Sequence, residues 1–428
     1  MRLFYLIEVD VVNPGHVFFS ASAHVDHEIH LVVAVHIGGA DDPGGLSPAE
    51  GVLGHDRHCD ARHVPPELRI FTPRDFGRDG VTLGGITITK EIIQKALDKR
   101  RPGAPSPDGS ANSAVTKRVE PDSVEILSGV FNDKSEGTPI ALFIRNTSQH
   151  SSDYNNLKDV FRPGHADFTF DAKYKGFRDY RGGGRSSGRE TAARVAAGAV
   201  ANQILIQKGI KITAYTTKAA GIEISKKDFS QIEQNSMRAP DNDAAKLMQE
   251  KIKELQAAGN SAGGIIECVI QNCPIGVGEP VFDKLDAELA KAMLSIGAIK
   301  GFEIGDGFAV ADSFGSENND KMHTSNGKIY FETNHAGGVL GGISNGNDII
   351  FRVAVKPVPS IFQSQKTVKK VKICEDLSED IQIDKTTYEN IDLEIQGRHD
   401  VCLCPRIVPV VEAMSAITLA DLILRKGE

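Results

Sequence analysis

The sequence predicts an α+β fold, in which helices and antiparallel strands are mixed, and three observations favour it. Apolar residues recur at helical spacing in some segments and form short alternating or continuous runs in others. These segments do not follow the strict strand–helix alternation that is typical of a parallel doubly wound sheet. No repeat of fixed period occurs along the 428 residues, so a repeat architecture is not indicated.

Regular elements begin at about Gly85. Glu91–Lys99 is predicted to be a short amphipathic helix, because it has an apolar side and is stopped by Pro102-Gly103. Glu190–Gln207 is predicted to be an Ala-rich helix whose small side chains allow close packing. Further helices are predicted at Ala244–Ala258, Phe282–Ile296 and Val410–Arg425, and strands at Val124–Phe131, Ile140–Asn146, Gly264–Gln271, Lys328–Glu332 and Ile349–Val355.

The composition is that of a folded globular protein, with 40% hydrophobic and 25% charged residues. The formal net charge of −8 argues against nucleic-acid binding, so an anionic ligand would be held by a local Arg cluster. Glu8 and Asp10 interrupt the first apolar run, and no later stretch approaches the length of a spanning helix; we expect a cytoplasmic protein without a membrane partner. The six Cys are expected to be reduced thiols, since Cys402 and Cys404 lack further ligands at metal spacing.

Residues 1–84 are an atypical segment that we expect to be poorly ordered. The first Lys is Lys90, and eight of the thirteen His fall before residue 64. Within the segment, Leu31–Val35 is predicted to be a short strand. Two His groups are only loosely spaced as metal ligands, and a polar strand face and a flexible loop are the favoured interpretations: His24, His27 and His30, and then His55, His58, Cys59 and His63.

The segment Arg178–Arg189 contains four Arg residues around a run of three Gly residues, and it leads directly into the Ala-rich helix. The Gly residues can expose backbone N–H groups, and Ser186 or Ser187 can cap the helix, so the segment is suited to bind phosphate or carboxylate. The alternative is a Gly turn with surface Arg–Glu pairs. It is neither a Walker loop nor a Rossmann turn, because the spacing of both is absent.

A His on a loop, His165 within Phe161–Asp167, can serve as an acid near neutral pH, although a hydrogen-bonded turn His is an equal alternative. The Gly-rich run Asn334–Gly346 allows close backbone approach to a flat ligand, or it forms a strand–turn junction. Lys356–Ser360 and Gly397–Asp400 add cations, another His and a carboxylate.

From Gly85 to the C-terminus these motifs together resemble chorismate synthases. The resemblance implies a β-α-β sandwich with helices between antiparallel sheets, a homotetramer, and a carbon–oxygen lyase that closes the shikimate pathway. The implied reaction is anti-1,4-elimination of phosphate from 5-enolpyruvylshikimate 3-phosphate, with reduced FMN required but not consumed. The motifs that carry it are Arg100-Arg101-Pro102-Gly103, Arg162–Asp167, Arg181–Ser187, Gly278–Asp283, Asn334–Gly338 and Gly397–Asp400.

The resemblance also implies roles for single residues. Arg100 falls where the family keeps an Arg assigned to NADP, although the sequence leaves open whether NADPH is the reductant. His165 matches the His that protonates or stabilises the reduced flavin, and Asp400 matches the acid that helps flavin N5 take the C6 proton of the substrate. The implied FMN contacts are Arg185, Ser186, Ser187, Ala298, Gly341, Lys356, Pro357, Val358, Pro359, Ser360 and Arg398.

Four departures from the family pattern are present. Gly297 replaces an Asn, Val401 replaces a Pro, and the stretch 363–394 is longer than usual. The family's opening Gly-Glu-Ser-His-Gly strand, whose His protonates the leaving phosphate, is missing, and Leu68–Thr72 holds its place. We therefore expect residues 1–84 to arise from a shifted reading frame or misplaced start. The alternative for this segment is a real divergent or metal-binding extension. The alternatives for the function of the chain are a flavin-binding homologue that no longer turns over, and a phosphate-binding regulatory module without flavin.

Overall fold

The structure is a computed structural model of the chain. It describes residues 84–103, 112, 114–116, 118–145, 157–178, 180, 186–378, 381–395 and 399–426, together with the strands at 18–19, 23–25 and 28–36.

The described elements alternate irregularly between helix and strand. The helices are α1 (Lys90–Arg100), α2 (Asp167–Lys173), α3 (Thr191–Gln207), α4 (Asn242–Ala257), α5 (Leu285–Leu294), α6 (Gly315–Asn318) and α7 (Cys404–Arg425). The strands are β1 (Phe18–Phe19), β2 (Ala23–Val25), β3 (Glu28–His36), β4 (Gly84–Thr87), β5 (Val124–Ser128), β6 (Val130–Phe131), β7 (Lys134–Glu136), β8 (Ile140–Arg145), β9 (Lys211–Ala219), β10 (Ile222–Glu223), β11 (Gly264–Gln271), β12 (Ile299–Ile304), β13 (Met322–Ser325), β14 (Lys328–Phe331), β15 (Val339–Leu340), β16 (Ile343–Ser344), β17 (Ile349–Val355), β18 (Gln365–Ser378) and β19 (Ile381–Leu393).

Two larger sheets are formed by the described strands, and both are antiparallel. The first has the order β1-β3-β8-β5, with β2 paired to β3, and the second has the order β10-β9-β11-β17-β12. In the second sheet β11 is central, and its pairing with β17 runs from Gly264 opposite Val355 to Ile270 opposite Ile349. The strands β4, β7 and β6 form a small third sheet, and β13–β14, β15–β16 and β18–β19 are hairpins.

A layer of helices lies between the two larger sheets, which confirms the predicted α+β sandwich. Helices α1 and α3 contact strands of the first sheet, while α7 contacts β9 and β11 and α5 contacts β12 of the second. The Ala-rich helix α3 is buried over most of its length and packs closely on α7. A Cβ built on Gly198 of α3 would lie 2.4 Å from the Cβ of Ala413 on α7, so the two backbones meet at this point.

Helix α7 begins at Cys404, six residues before the predicted start at Val410. Pro405 in its first turn is tolerated because the N–H groups there have no partner within the helix, and Pro409, directly before the predicted start, lies inside the helix. The expectation that no stretch could span a membrane needs correction, since α7 is long and apolar enough by composition. Its most apolar window is 89% buried inside the protein, as in the core helix of a globular domain.

The strand predicted at Leu31–Val35 is confirmed as part of β3. It pairs with β8, with Leu31 opposite Ile144 and Val35 opposite Ile140. The early segment therefore supplies an apolar strand that covers one edge of β8. The second group of predicted His ligands and Leu68–Thr72 lie outside the described residues.

Candidate active site

The loop that carries His165 is held by an Arg–carboxylate pair at the start of α2. The backbone N–H of Arg162 and its Nε donate to Asp167 Oδ2 at 3.1 Å and 2.7 Å, and its Nη2 donates to Oδ1 at 2.9 Å. Burial alone would raise the pKa of Asp167, but hydrogen bonds from Arg162 and His165 outweigh it and hold the pKa well below its usual range. Asp167 is therefore a fixed anion beside the His ring.

The ring of His165 is oriented by this carboxylate. Its Nδ1 lies 2.9 Å from Asp167 Oδ1 and 3.1 Å from Arg162 Nη2, so one ring nitrogen faces both an acceptor and a donor. Asp167 accepts from Nδ1 when this nitrogen carries a proton, and Nε2 then lies on the opposite side of the ring. His165 also lies in a hydrogen-bonded turn, with its N–H donating to Arg162 O at 3.2 Å, and its role as an acid stays a prediction.

The predicted flavin-binding segment 356–360 lies against the His165 loop. Lys356 Nζ donates to the carbonyl of Gly164, and a Cβ built on Gly164 would be 3.3 Å from the Cβ of Pro359. The N–H of Lys356 donates to Ala298 O at 2.9 Å, and Ala298 adopts a left-handed φ of 76°. His165, Lys356 and Ala298 are therefore brought together.

Arg100 lies in a second group, around the start of α3. Its guanidinium is 1% exposed and donates through Nε to Thr191 at 2.9 Å, through Nη1 to Asp122 at 2.7 Å, and through Nη2 to Gly188 O at 2.7 Å. Burial, and then repulsion from Arg406, lower the pKa of Arg100 to about 10, so it stays charged at neutral pH. Because the side chain is 1% exposed, contact with NADP would require the surroundings of Arg100 to open, and that role stays a prediction.

Asp400 is tied to the same group. Its Oδ1 accepts from the N–H of Thr116 at 2.8 Å and its Oδ2 accepts from Arg406 Nη1 at 2.7 Å. Arg406 Nε in turn donates to the carbonyl of Arg100 at 3.2 Å. Both oxygens of Asp400 therefore have fixed partners, and the side chain is 10% exposed.

The predicted serine cap of α3 is not formed: Ser187 caps the short turn before the helix, where its Oγ accepts from the N–H of Arg189 at 3.2 Å, while Glu190 precedes α3 without a side-chain cap. Ser186 precedes Ser187 and is half-buried. Arg189 contacts Glu120 at 3.0 Å and also pairs with Asp122, but both carboxylates are buried, so these are not the surface Arg–Glu pairs of the alternative interpretation.

Two predicted flavin contacts, Arg185 and Arg398, lie outside the described residues. Arg178, at the beginning of the Arg-rich segment, donates to the carbonyls of Leu157 and Lys158, both at 2.9 Å. The anion-binding role of the segment therefore stays a prediction.

Hydrogen bonds connect the two groups. Arg194 on α3 pairs with Glu190 at 2.9 Å and donates to Ser295 Oγ at 2.6 Å, three residues before Ala298. A second connection runs through Ser261, whose Oγ donates to Val358 O at 2.7 Å. The N–H of the following residue, Ala262, donates at 2.9 Å to the carbonyl of Val401, which follows Asp400. The group around His165 and the group around Arg100 are therefore neighbours in the fold.

Gly341 lies apart from Ala298 and Lys356 in the described chain. It lies in the two-residue turn between β15 and β16, where Gly341 and Gly342 have φ of 62° and 85°. The carbonyl of Gly342 accepts from the N–H of Leu285, at the beginning of α5, whereas Ala298 follows the end of α5, about 15 Å away along the helix. The Gly-rich run thus contains a strand–turn junction, and the flavin contact of Gly341 stays a prediction.

Several residues that build the site were missed by sequence reasoning. Asp122 is 0% exposed and has a left-handed φ of 43°, yet nothing in its local sequence marks it. Glu120, Arg406 and Arg194 likewise act through contacts that are distant in sequence. Only the density of charge near Arg100 offered a signal, because a buried cation requires a carboxylate.

The family model described as chorismate synthase matches residues 79–424. A chorismate synthase of Christiangramia forsetii is 46% identical over 370 residues, which cover 83% of this chain and 96% of that one. One of Lachnoclostridium phytofermentans is 50% identical, covering 79% and 87%, and one of Methanosarcina mazei is 49% identical, covering 80% and 89%. A solved structure described as "Crystal Structure of Chorismate Synthase" has a TM-score of 0.63 at 26% identity, covering 97% of this chain and 93% of that one. The chain belongs to the chorismate synthase family and is a lyase.

Proposed function

We propose that the protein eliminates phosphate from 5-enolpyruvylshikimate 3-phosphate in an anti-1,4-elimination that gives chorismate, with reduced FMN bound at this site. The observation that carries the proposal is that the His165 loop, held by Asp167, lies against Lys356, which donates to the carbonyl of Gly164 and, through its backbone N–H, to Ala298 O. The shared family name of the relatives supports the same reaction.

The donor set fits an anionic ligand such as FMN or the substrate. Burial, and then repulsion from Lys300, lower the pKa of Lys356 below its usual value. Among the charged groups of the described residues, the one that shifts the pKa of Lys356 is thus a cation, Lys300, and not a carboxylate. A phosphate or carboxylate bound between the two ammonium groups would offset this repulsion.

The reaction assigns work to residues of the chain. When bound, reduced FMN supplies electronic stabilisation of the transition state. His165, whose ring Asp167 orients through Nδ1, would hold a proton at Nε2 for the bound cofactor. Asp400, fixed by Thr116 and Arg406, assists removal of the substrate's C6 proton. Lys356 binds a negative group and keeps the ligand against the His165 loop.

The test is single-substrate turnover with reduced FMN under anaerobic conditions, together with a fluorescence titration of FMN in the presence of substrate. Replacing His165 by Ala should lower turnover by about a hundredfold while the fold survives. Arg185→Ala should weaken FMN binding by about 1.5–3 kcal/mol, the range for a hydrogen bond to a charged group. Unchanged turnover would reduce His165 to a turn residue, and absence of FMN binding would refute the flavin proposal.

A second candidate, a flavin-binding homologue without turnover, is favoured by one observation. The Gly-Glu-Ser-His-Gly motif is missing, and no residue is assigned to protonation of the leaving phosphate. Tight FMN binding without any chorismate formation would establish this candidate. Purified protein with neither flavin colour nor flavin fluorescence would instead indicate a phosphate-binding module.

We also propose that the protein is a homotetramer. The resemblance to the family implies this assembly, and large apolar side chains are exposed on the described surface, among them Phe282 at 90% and Phe308 at 84%. Light scattering after gel filtration should give four times the mass of one chain. A monomer mass would contradict the proposal.

For residues 1–84 we propose an origin outside the family, through a shifted frame or misplaced start. The support is the abrupt change in Lys and His content and the start of the family match at residue 79. The pairing of β3 with β8 favours the opposite, a genuine divergent strand. Translation of the upstream DNA in three frames decides: a frame that encodes Gly-Glu-Ser-His-Gly supports the proposal, and His-rich peptides from the native protein refute it.

A further inference from the structure

The hairpin β18–β19, which forms the stretch that is longer than usual, joins the His165 loop at its base. The N–H of Phe161 donates to Val368 O at 3.3 Å, and the N–H of Lys370 donates to Asp159 O at 2.7 Å. Thr367 Oγ1 donates to the carbonyl of Phe161. Residues 159–161 therefore run along β18 as a short added strand, and the chain enters the His165 loop from a position that β18 sets.

A chain of alternating charges connects Lys370 with His165. Lys370 Nζ lies 3.0 Å from Asp171 Oδ2, and Arg178 lies between the carboxylates of Asp171 and Asp167, at 3.8 Å and 3.6 Å. Asp167 Oδ1 then contacts His165 Nδ1 at 2.9 Å. Each side chain in this chain is 18% exposed or less, so solvent screens its interactions weakly.

Arg178 lies at almost equal distances from the carboxylates of Asp167 and Asp171, and Lys370 is a second cation beside Asp171. Without Lys370, Asp171 would be a mostly buried anion with Arg178 as its remaining cation in this chain. The cost of an unpaired buried charge would then draw Arg178 toward Asp171 and away from Asp167. Asp167 would keep its hydrogen bonds from Arg162, but its Oδ1, which faces both Arg178 and His165, would lose one cation, and the His165 ring would turn in response.

We infer that Lys370, on the hairpin and outside the His165 loop, is a positioning residue that sets the orientation of the His165 ring through Asp171, Arg178 and Asp167. The inference rests on the proposed function only for its effect on turnover. The orientation of the ring can be followed without any reaction.

The experiment compares Lys370→Met with Lys370→Arg, which keeps the charge, and with Lys366→Met, which removes an exposed lysine of the same strand. His rings are labelled selectively and observed by NMR in the full-length protein, and the His165 signal is identified by its loss in His165→Ala. Lys370→Met should displace the His165 signal and leave the other His signals of described residues in place. Lys370→Arg should restore it, and Lys366→Met should not move it.

Turnover of the same variants separates this inference from the proposed function. Lys370→Met should lower kcat by about ten- to a hundredfold with KM little changed, as misplacement of a catalytic group does. A His165 signal that stays in place in Lys370→Met, or moves equally in Lys366→Met, overturns the inference. A displaced signal with normal turnover supports the positioning role and refutes the catalytic role proposed for His165.

Discussion

Replacing Arg100 by Met tests whether this residue is part of the interior or of a cofactor site. The change removes three hydrogen bonds, to Thr191, Asp122 and Gly188 O, from a guanidinium that is 1% exposed. Breaking a buried ion pair by deleting one partner costs about 3–5 kcal/mol. Since Asp122 keeps Arg189 as a second cation, we expect a loss of about 3 kcal/mol in the free energy of unfolding.

Urea unfolding followed by circular dichroism measures this loss. The matched control is Arg101→Met, because that side chain is 22% exposed and pairs with an Asp98 that is 46% exposed, so its loss should cost about 1 kcal/mol or less. Adding Asp122→Asn to Arg100→Met should cost less than the sum of the single changes. If Arg100→Met destabilises the protein no more than Arg101→Met does, while the affinity for NADPH falls, the interior role of Arg100 is refuted and its side chain binds the ligand.

Two further predictions concern the frame around the site. Gly198→Ala should lower the free energy of unfolding by about 1–2 kcal/mol, because the cost of overpacking against the Ala413 Cα, at 2.5 Å, exceeds the gain of about 1 kcal/mol from the better helix former. Urea unfolding should show that Ala413→Gly partly restores the stability of this variant. A Gly198→Ala protein that is more stable than the original would contradict this prediction. Burial would raise the pKa of Asp241, but hydrogen bonds from Ser225 and Ala244 lower it from 3.8 to about 2. Because this pKa is lower in the folded state, the ionised Asp241 stabilises the fold above pH 3.8, and this stabilisation is lost as the pH falls through about 2. The free energy of unfolding, measured as a function of pH, should therefore fall less in Asp241→Asn than in the original protein. An equal fall in both proteins would exclude the effect.

Elements with local signals were predicted well from the sequence. The predicted helix Glu91–Lys99 appears as α1 with one added residue at each end, since Thr89 caps it and the following Pro102 stops it. The predicted strand Val124–Phe131 is broken by Gly129, whose φ of 79° no extended strand adopts. The helix predicted from Phe282 starts later, because Glu279 and Asp283 close a turn before it.

Contacts between distant segments could not be predicted in the same way. The His165 loop, Lys356 and Asp400 carry motifs of their own, and a family resemblance found them. The partners that fix them, such as Asp122 for Arg100 and Lys370 for Asp171, are chosen by the tertiary fold. A periodicity in sequence reports which face of an element is buried, but not which charged group on another element it meets.

The packing of helix α5 fixes how many residues can separate the turn before it from Ala298. Leu285, Leu289 and Met293 are completely buried, so packing fixes the rotation of the helix about its axis. Inserting or deleting one residue would turn everything after it by about 100° and move it by about 1.5 Å. Ser295 would then face away from Arg194, and Ala298 would lose its place beside Lys356. The spacing between the turn at Glu279–Asp283 and Ala298 is therefore expected to resist insertions and deletions, while substitutions on the exposed side of the helix are tolerated.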